Sequence, residues 1–268
     1  MKDITSRHNS TFKALLDLVG SARERRPHGR AWCEGERLCQ GLLAVPPRTP
    51  WTLVAADHDT CARVPRAIAA VASEILVLTP SLFNELTQLD TPSGWALVVP
   101  APLAAFAPSD VVACGRHDTV ILDRLQDPGN AGTILRSAAA AGIRQIWSVT
   151  GTVDLWSPKV MRSAMGAHAM LEIFEPASEG ELIRQAQARG LPLLATALAP
   201  DAVSLFSAQL DLTAPVAWVL GQEADGVSDG FLAWARCITI PMATGVESLN
   251  VAAAASVCFF EARRRRQR

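Results

Sequence analysis

Three polar, glycine-bearing stretches hold the residues of this chain that could do chemistry. They are Asp127-Pro128-Gly129-Asn130-Ala131-Gly132 with Arg136 beyond it, Gly221-Gln222-Glu223-Ala224-Asp225-Gly226, and Ile240-Pro241-Met242 followed by Glu247-Ser248-Leu249-Asn250-Val251. Each lies between apolar segments that read as strand and helix, which is how an α/β protein turns main-chain amides and carbonyls toward a ligand. The side chains offered are Asn130, Arg136, Glu223, Ser248 and Asn250. Such a set can grip and orient; its arginine is a poor general base, because a guanidinium stays protonated in ordinary protein surroundings. Taken singly, each residue also has a plainer use. Asn130 and Ser248 are natural helix caps, Arg136 suits a surface ion pair, and Glu223 suits the first turn of a helix.

Two common ligand chemistries are excluded by spacing. The first stretch gives glycine, two residues, glycine, and not the G-x-G-x-x-G of a dinucleotide site; no acidic residue ends the next strand, Gln145 to Val149, to hold a ribose. No G-x-x-x-x-G-K-[ST] occurs, so a P-loop is absent. The six cysteines, at 33, 39, 61, 114, 237 and 258, form no CxxC pair and none has metal-ligand spacing to a histidine. Reduced, mostly buried thiols and no metal are expected.

The elements that must position these groups alternate along the chain. Apolar positions from Ser10 to Arg26 predict an opening helix capped by Ser10 or Thr11. Strands at 51–55, 74–78 and 95–99, with helices near 36–44, 65–73 and 81–89, predict a small α/β domain over residues 1–100. A proline- and alanine-rich linker follows over 101–117. In 118–268 the pattern predicts strands at 119–122, 145–149, 191–195, 216–220 and 237–240, and helices near 132–141, 157–166, 180–189 and 248–263. Several of these strands are nearly all apolar, as expected when helices cover both faces of a mainly parallel sheet. The last helix carries a small-residue face, Leu249, Ala252, Ala253, Ser256, Val257 and Phe260, suited to close approach of another helix.

At 268 residues, 49% hydrophobic and 19% charged, the chain has a globular composition with room for two modest cores. No apolar run is long enough to span a membrane, and the first residues lack the apolar core of a secretory signal, so a cytosolic location is expected. The net charge of −1 hides basic ends: residues 1–30 carry seven Lys/Arg against three Asp/Glu, and 263–268 carry five Arg. Basic ends around an acidic body suit contact with phosphates, although a terminal arginine run is often only a solvated helix end.

The three stretches, in this order, resemble the motifs of the SpoU class of SPOUT RNA methyltransferases, and Ser157–Ala167 is similar to the helix between those motifs. The opening Ile4-Thr5-Ser6-Arg7-His8-Asn9, with Glu34-Gly35, resembles the small ribosomal-protein-like RNA-binding domain that precedes the catalytic domain in members acting on ribosomal RNA. One departure is Gln222, where asparagine is common before the glutamate. The resemblance implies an S-adenosylmethionine-dependent RNA 2′-O-ribose methyltransferase, a C-terminal trefoil knot and a homodimer. It places the cofactor near Thr196, Leu220, Gly221, Ile240, Met242 and Leu249, and catalysis on Asn130, Arg136, Glu223, Ser248 and Asn250, with Asn130, Glu223 and Asn250 holding Arg136 and the ribose. Ribosomal RNA is the expected partner. The alternatives are the same chemistry on transfer RNA, or a non-catalytic RNA-binding or ribosome-assembly factor.

Overall fold

Side-chain caps start most of the helices in the computed structural model, which describes residues 1–47, 49–101, 117–174 and 176–267. Asp127, Ser157 and Ser178 each accept the amide three residues on, and Pro128 and Pro158 occupy first-turn positions where a missing N–H costs nothing. The opening helix is capped by Asn9, which accepts Thr11 N at 2.8 Å, and not by Ser10 or Thr11. It ends at Val19 and not near Arg26, because Ser21 and Glu24 form a capping box that restarts the chain as a separate turn, Ala22–Arg25.

The described residues gather into two units, one of residues 1–101 with Asp154–Met170, the other of 117–153 with 171–267. The first holds a five-stranded sheet of β1 (Lys2–Asp3), β2 (Arg30–Glu34), β3 (Trp51–Ala55), β4 (Ala72–Val77) and β5 (Trp95–Pro100), in the order β1-β4-β3-β5-β2. β1, β3 and β4 run parallel; β2 and β5 pair antiparallel. The expected helix over 65–73 is only Arg66–Ala69, since Ala72 already belongs to β4. Asp154–Met170, expected within the C-terminal half, packs in this unit: Met161 and Ala169 join the core of Ala31, Leu38, Trp51 and Leu97. A nearly buried ion pair ties Arg25 Nε to Asp154 Oδ2 at 2.8 Å, and the backbones at Gly41 and Gly166 approach so closely that a Cβ on Gly166 would strike Gly41 and one on Gly41 would strike the carbonyl of Met165.

The second unit holds β6 (Thr119–Leu122), β7 (Gln145–Ser148), β8 (Glu172–Ile173), β9 (Leu193–Thr196), β10 (Val203–Ser204), β11 (Ala217–Leu220) and β12 (Arg236–Thr239). Their order is β10-β12-β9-β11-β6-β7-β8, and every pairing is parallel. The α/β class and mainly parallel sheet are as the apolar strands indicated. The helices Pro128–Ala141 and Val251–Arg266 pack together, with Ser137 Oγ 2.8 Å from Ser256 Oγ. Only part of the expected small-residue face is buried there; Leu249, Val257 and Phe260 stay exposed.

Basic residues at the end of the last helix turn back onto the protein. Arg265 donates to the carbonyls of Leu205, Ser207 and Leu210, and Arg266 to Asp118 and the carbonyls of Leu212 and Ala214. Arg264 and Arg265 both bond Glu261, whose carboxyl their hydrogen bonds hold at a pKa of about 2. The stretch 263–266 is therefore neither frayed nor merely solvated. Most of the expected linker, Cys114 and Arg268 lie outside the described residues. Cys33, Cys39 and Cys258 are buried free thiols, and burial pushes Cys39 and Cys258 up to about 12. Among the described residues no helix is long and apolar enough to cross a membrane, and no cluster of side chains has metal-ligand geometry.

Candidate active site

Parallel strands β6, β11, β9 and β12 end side by side, and from the ends of β6, β11 and β12 the chain turns into the three polar stretches. That edge is where open α/β sheets bind ligands. After β6, Asp127 caps the helix Pro128–Ala141 by accepting Asn130 N at 2.7 Å, so Asn130 is not the cap and its amide side chain is free for other work. Its Nδ2 donates to Glu223 Oε1 at 3.0 Å, and its Oδ1 accepts Asn250 Nδ2 at 2.9 Å. Asn250 Oδ1 in turn accepts Ala252 N at 2.9 Å and Ala253 N at 3.3 Å, capping the final helix. The helix accordingly begins at Val251, and Ser248, the expected cap, lies two residues before the true one, exposed and outside this network.

The polarity of the line is fixed from one end. An ionised carboxylate only accepts, so Asn130 must present its NH₂ to Glu223 and its oxygen to Asn250; Asn250 must then give its NH₂ to Asn130 and its oxygen to the helix amides. Glu223 is held further by Gln126 N to Oε2 at 3.2 Å and Asp127 N to Oε1 at 3.1 Å. Burial pushes its carboxyl up, but the bonds from Asn130 and the two amides outweigh it and leave the group below the usual carboxylate range. Both oxygens are occupied and the group is weakly basic. Glu223 is thus a tie between strand ends and unsuited to take a proton.

Arg136 is exposed, and no hydrogen bond or ion pair joins it to Asn130, Glu223 or Asn250, contrary to the expectation that these three hold it. The reason is helical geometry: six residues beyond Asn130 place Arg136 about 240° further round and ~9 Å along the axis. No hydrogen bond or ion pair among the described residues engages its guanidinium.

Among the positions expected to meet a cofactor, Thr196 ends β9, Leu220 ends β11 with Gly221 next, and Ile240 follows β12 directly. Three neighbouring strands of the sheet therefore present them together. No hydrogen bond among the described residues engages the main-chain N–H of Ile240, Met242 or Leu249. Unpaired amides beside half-buried Ile240 and Met242 and the partly exposed Leu249 suit a purine, which needs apolar cover for its faces and donors for its ring nitrogens. The residues present therefore fit an adenosyl group. Gly221 is needed for a reason that spacing did not reveal. Gln222 and Gly226 exchange main-chain hydrogen bonds at 3.0 and 2.9 Å, closing the loop, and a Cβ on Gly221 would overlap the returning backbone at Gly226 and Val227.

Three supporting residues escaped the sequence reading. Asp127 carries a legible signal, an aspartate directly before proline at a helix start. Gln126 ties its loop to the turn after β7 through Nε2 to Gly151 O at 2.9 Å, and Asp123, fully buried, accepts Ser228 N at 2.7 Å. Neither has a local signature, because their partners lie far along the chain.

Residues 118–260 match the SpoU rRNA Methylase family. The "uncharacterized tRNA/rRNA methyltransferase slr1673" of Synechocystis is 42% identical over 54% of this chain, a span that is about half, 52%, of that relative's length. The 23S rRNA (guanosine(2553)-2'-O)-methyltransferase RlmP of Bacillus subtilis is 28% identical over 98% of this chain and 100% of its own. The crystal structure of an AdoMet-bound rRNA methyltransferase from Sinorhizobium meliloti superposes with a TM-score of 0.79, at 29% identity, covering 98% of this chain and 97% of that one.

Proposed function

Because this chain belongs to the SpoU rRNA methylase family, we propose that it is an S-adenosylmethionine-dependent RNA 2′-O-ribose methyltransferase acting on ribosomal RNA. The observation that carries the reading is the unbroken line Glu223–Asn130–Asn250, which brings segments 93 and 120 residues apart into one polar constellation beside the cofactor positions. Helix capping needs neither of those bonds, since Asp127 and Asn250 cap their helices through main-chain amides. Support for ribosomal RNA comes from the likeness to RlmP over nearly the whole of both chains.

Thr196, Leu220, Gly221, Ile240, Met242 and Leu249 would hold the cofactor, which supplies an already activated sulfonium methyl when bound. What remains for the protein is alignment and charge. Asn130 and Asn250 each keep a second amide N–H beyond the line they form, available to a ribose oxygen. Ser248, exposed nearby in sequence, offers a hydroxyl for the same purpose. Arg136 grips a phosphate beside the target ribose, and its fixed positive charge favours the alkoxide as the 2′-proton leaves. Glu223 is already saturated, so the proton goes to a substrate phosphate or to water.

The unit built on residues 1–101 would bind RNA, with the catalytic part over 118–268 and the family's trefoil knot in it. A homodimer would cover the apolar stripe Ala253, Val257 and Phe260, spaced on one face of the last helix and exposed. The protein would work in the cytoplasm. Transfer of labelled methyl from S-adenosylmethionine to unmodified ribosomal RNA, with transfer RNA in parallel, tests the proposal. Label in the ribose of ribosomal RNA is expected; label only in transfer RNA would replace the substrate, and label in neither would overturn the activity. Light scattering of Phe260→Asp tests the dimer, which should dissociate.

A further inference from the structure

Just ahead of the catalytic constellation, the backbone departs from what L-residues favour. Arg124 has φ of +56°, the left-handed region that a side chain with a Cβ rarely adopts. Met165 shares this feature among the described residues, but it closes a helix, where such a conformation is ordinary. Arg124 instead follows a strand, where no cap calls for it. Strain of this kind persists only where the surroundings impose it, and it concentrates at functional positions.

Here the surroundings do impose it. On one side, buried Asp123 is fixed by its amide to Leu220 O at 2.9 Å and by its Oδ2 to Ser228 N. On the other, Gln126 Nε2 donates to Arg124 O at 2.7 Å while Gln126 N is bound to Glu223. The left-handed turn sends the side chain out past Gly151, leaving it 43% exposed. Arg124 Nε lies 3.1 Å from Asp123 Oδ1 without hydrogen-bond geometry, and no hydrogen bond among the described residues engages its two terminal nitrogens.

Sheet order gives this arginine a direction. Along the carboxyl edge run the ends of β12, β9 and β11, which carry the cofactor positions, then β6 with Arg124, then β7 with Gly151. The guanidinium therefore sits on the side of Glu223 and Asn130 away from the cofactor, where an acceptor strand must lie. We propose that Arg124 binds a phosphate of the RNA strand next to the target nucleotide, on that side of the catalytic constellation. The assignment rests on the RNA-methyltransferase reading above and adds a second phosphate contact to that of Arg136.

Arg124→Gly removes the guanidinium and the backbone strain together; because it also removes the ion pair to buried Asp123, its Tm is measured beside RNA binding, and a Tm and cofactor affinity equal to wild type exclude lost folding as the cause. RNA affinity would be measured by filter binding over a range of salt concentrations, with calorimetry for S-adenosylmethionine. Expected for Arg124→Gly are about tenfold weaker RNA binding, a salt slope shallower by about one phosphate contact, and unchanged cofactor affinity. Arg124→Lys should keep the slope. Unchanged RNA affinity and slope in Arg124→Gly would overturn the assignment, as would a wild type that binds no RNA. A wild type that binds RNA but transfers no methyl would sink the enzymatic reading, while the slope comparison would still decide Arg124.

Discussion

Arg136 and Glu223 show how two charged residues in one site divide their work by what already holds them. Glu223 accepts three hydrogen bonds and is committed; Arg136 is exposed with none among the groups around it. A free planar fork is preorganised for a phosphate and adds nothing to the fold, so its loss should appear in catalysis alone. Arg136→Ala is expected to lower kcat about 100-fold or more in methyl transfer while leaving Tm and S-adenosylmethionine affinity nearly unchanged. Arg136→Lys should also be poor, because an ammonium cannot reproduce two parallel donors. Full turnover in either variant would remove Arg136 from the reaction.

Elements matter here chiefly at their ends. The loop after β11 closes on itself through Gln222 and Gly226, and Gly221 lies under the closure. In Gly221→Ala the loop must open, at a cost of about 1–3 kcal/mol, and Glu223 moves with it. Urea unfolding and calorimetry should show lower stability together with weaker cofactor binding and lower turnover; a variant of wild-type stability would mean that the loop yields freely. At the other end of the unit, Glu261 organises Arg264 and Arg265, and Arg265 holds the carbonyls of the 205–210 segment. Glu261→Gln should lower Tm by ~2–4 °C. The carboxyl's pKa falls from 4.5 to about 2 on folding, so its contribution is complete above pH 4.5 and lost as pH drops toward about 2. The gap between wild type and Glu261→Gln should close over that window.

For the molecule as a whole, the polar group that ties stability to pH is His168, fully buried, its ring tilted 48° against Trp156, with Nε2 2.8 Å from Leu155 O. Burial pushes its pKa from 6.5 down to about 4, against the Leu155 bond and the Asp154 charge, which favour protonation. The unfolded chain therefore binds the proton that the folded one refuses. Stability should fall as pH drops from 6.5 to about 4, with a slope approaching ~1.4 kcal/mol per pH unit. Denaturation followed by tryptophan fluorescence at several pH values would show the slope, and His168→Gln, which can still donate to Leu155 O, should flatten it. An unchanged slope in that variant would assign the pH response elsewhere.

Strand and helix types in the C-terminal part were written in local pattern: continuous apolar runs gave β6, β7, β9, β11 and β12, and proline or serine starts gave the helices between them. The three polar stretches could be found because glycine, proline and amide residues mark a turn wherever it ends up. Short strands such as β1, β8 and β10, two residues each, have no period to detect and exist only because a neighbour offers hydrogen bonds. Only the fold could show that Asp154–Met170 packs with the first unit, that Asn250 and not Ser248 caps the last helix, and that Arg265 and Arg266 turn back onto the body. The packing of Asp154–Met170 and the bonds of Arg265 and Arg266 depend on partners tens of residues away, as does the Asn130 bond that orients the Asn250 cap, and local residue preference carries no record of which distant carbonyl, amide or apolar face will arrive to meet a side chain. The sequence by itself determined which residues could do the chemistry; the tertiary structure decided which of them hold one another and which, like Arg136, are left free to act.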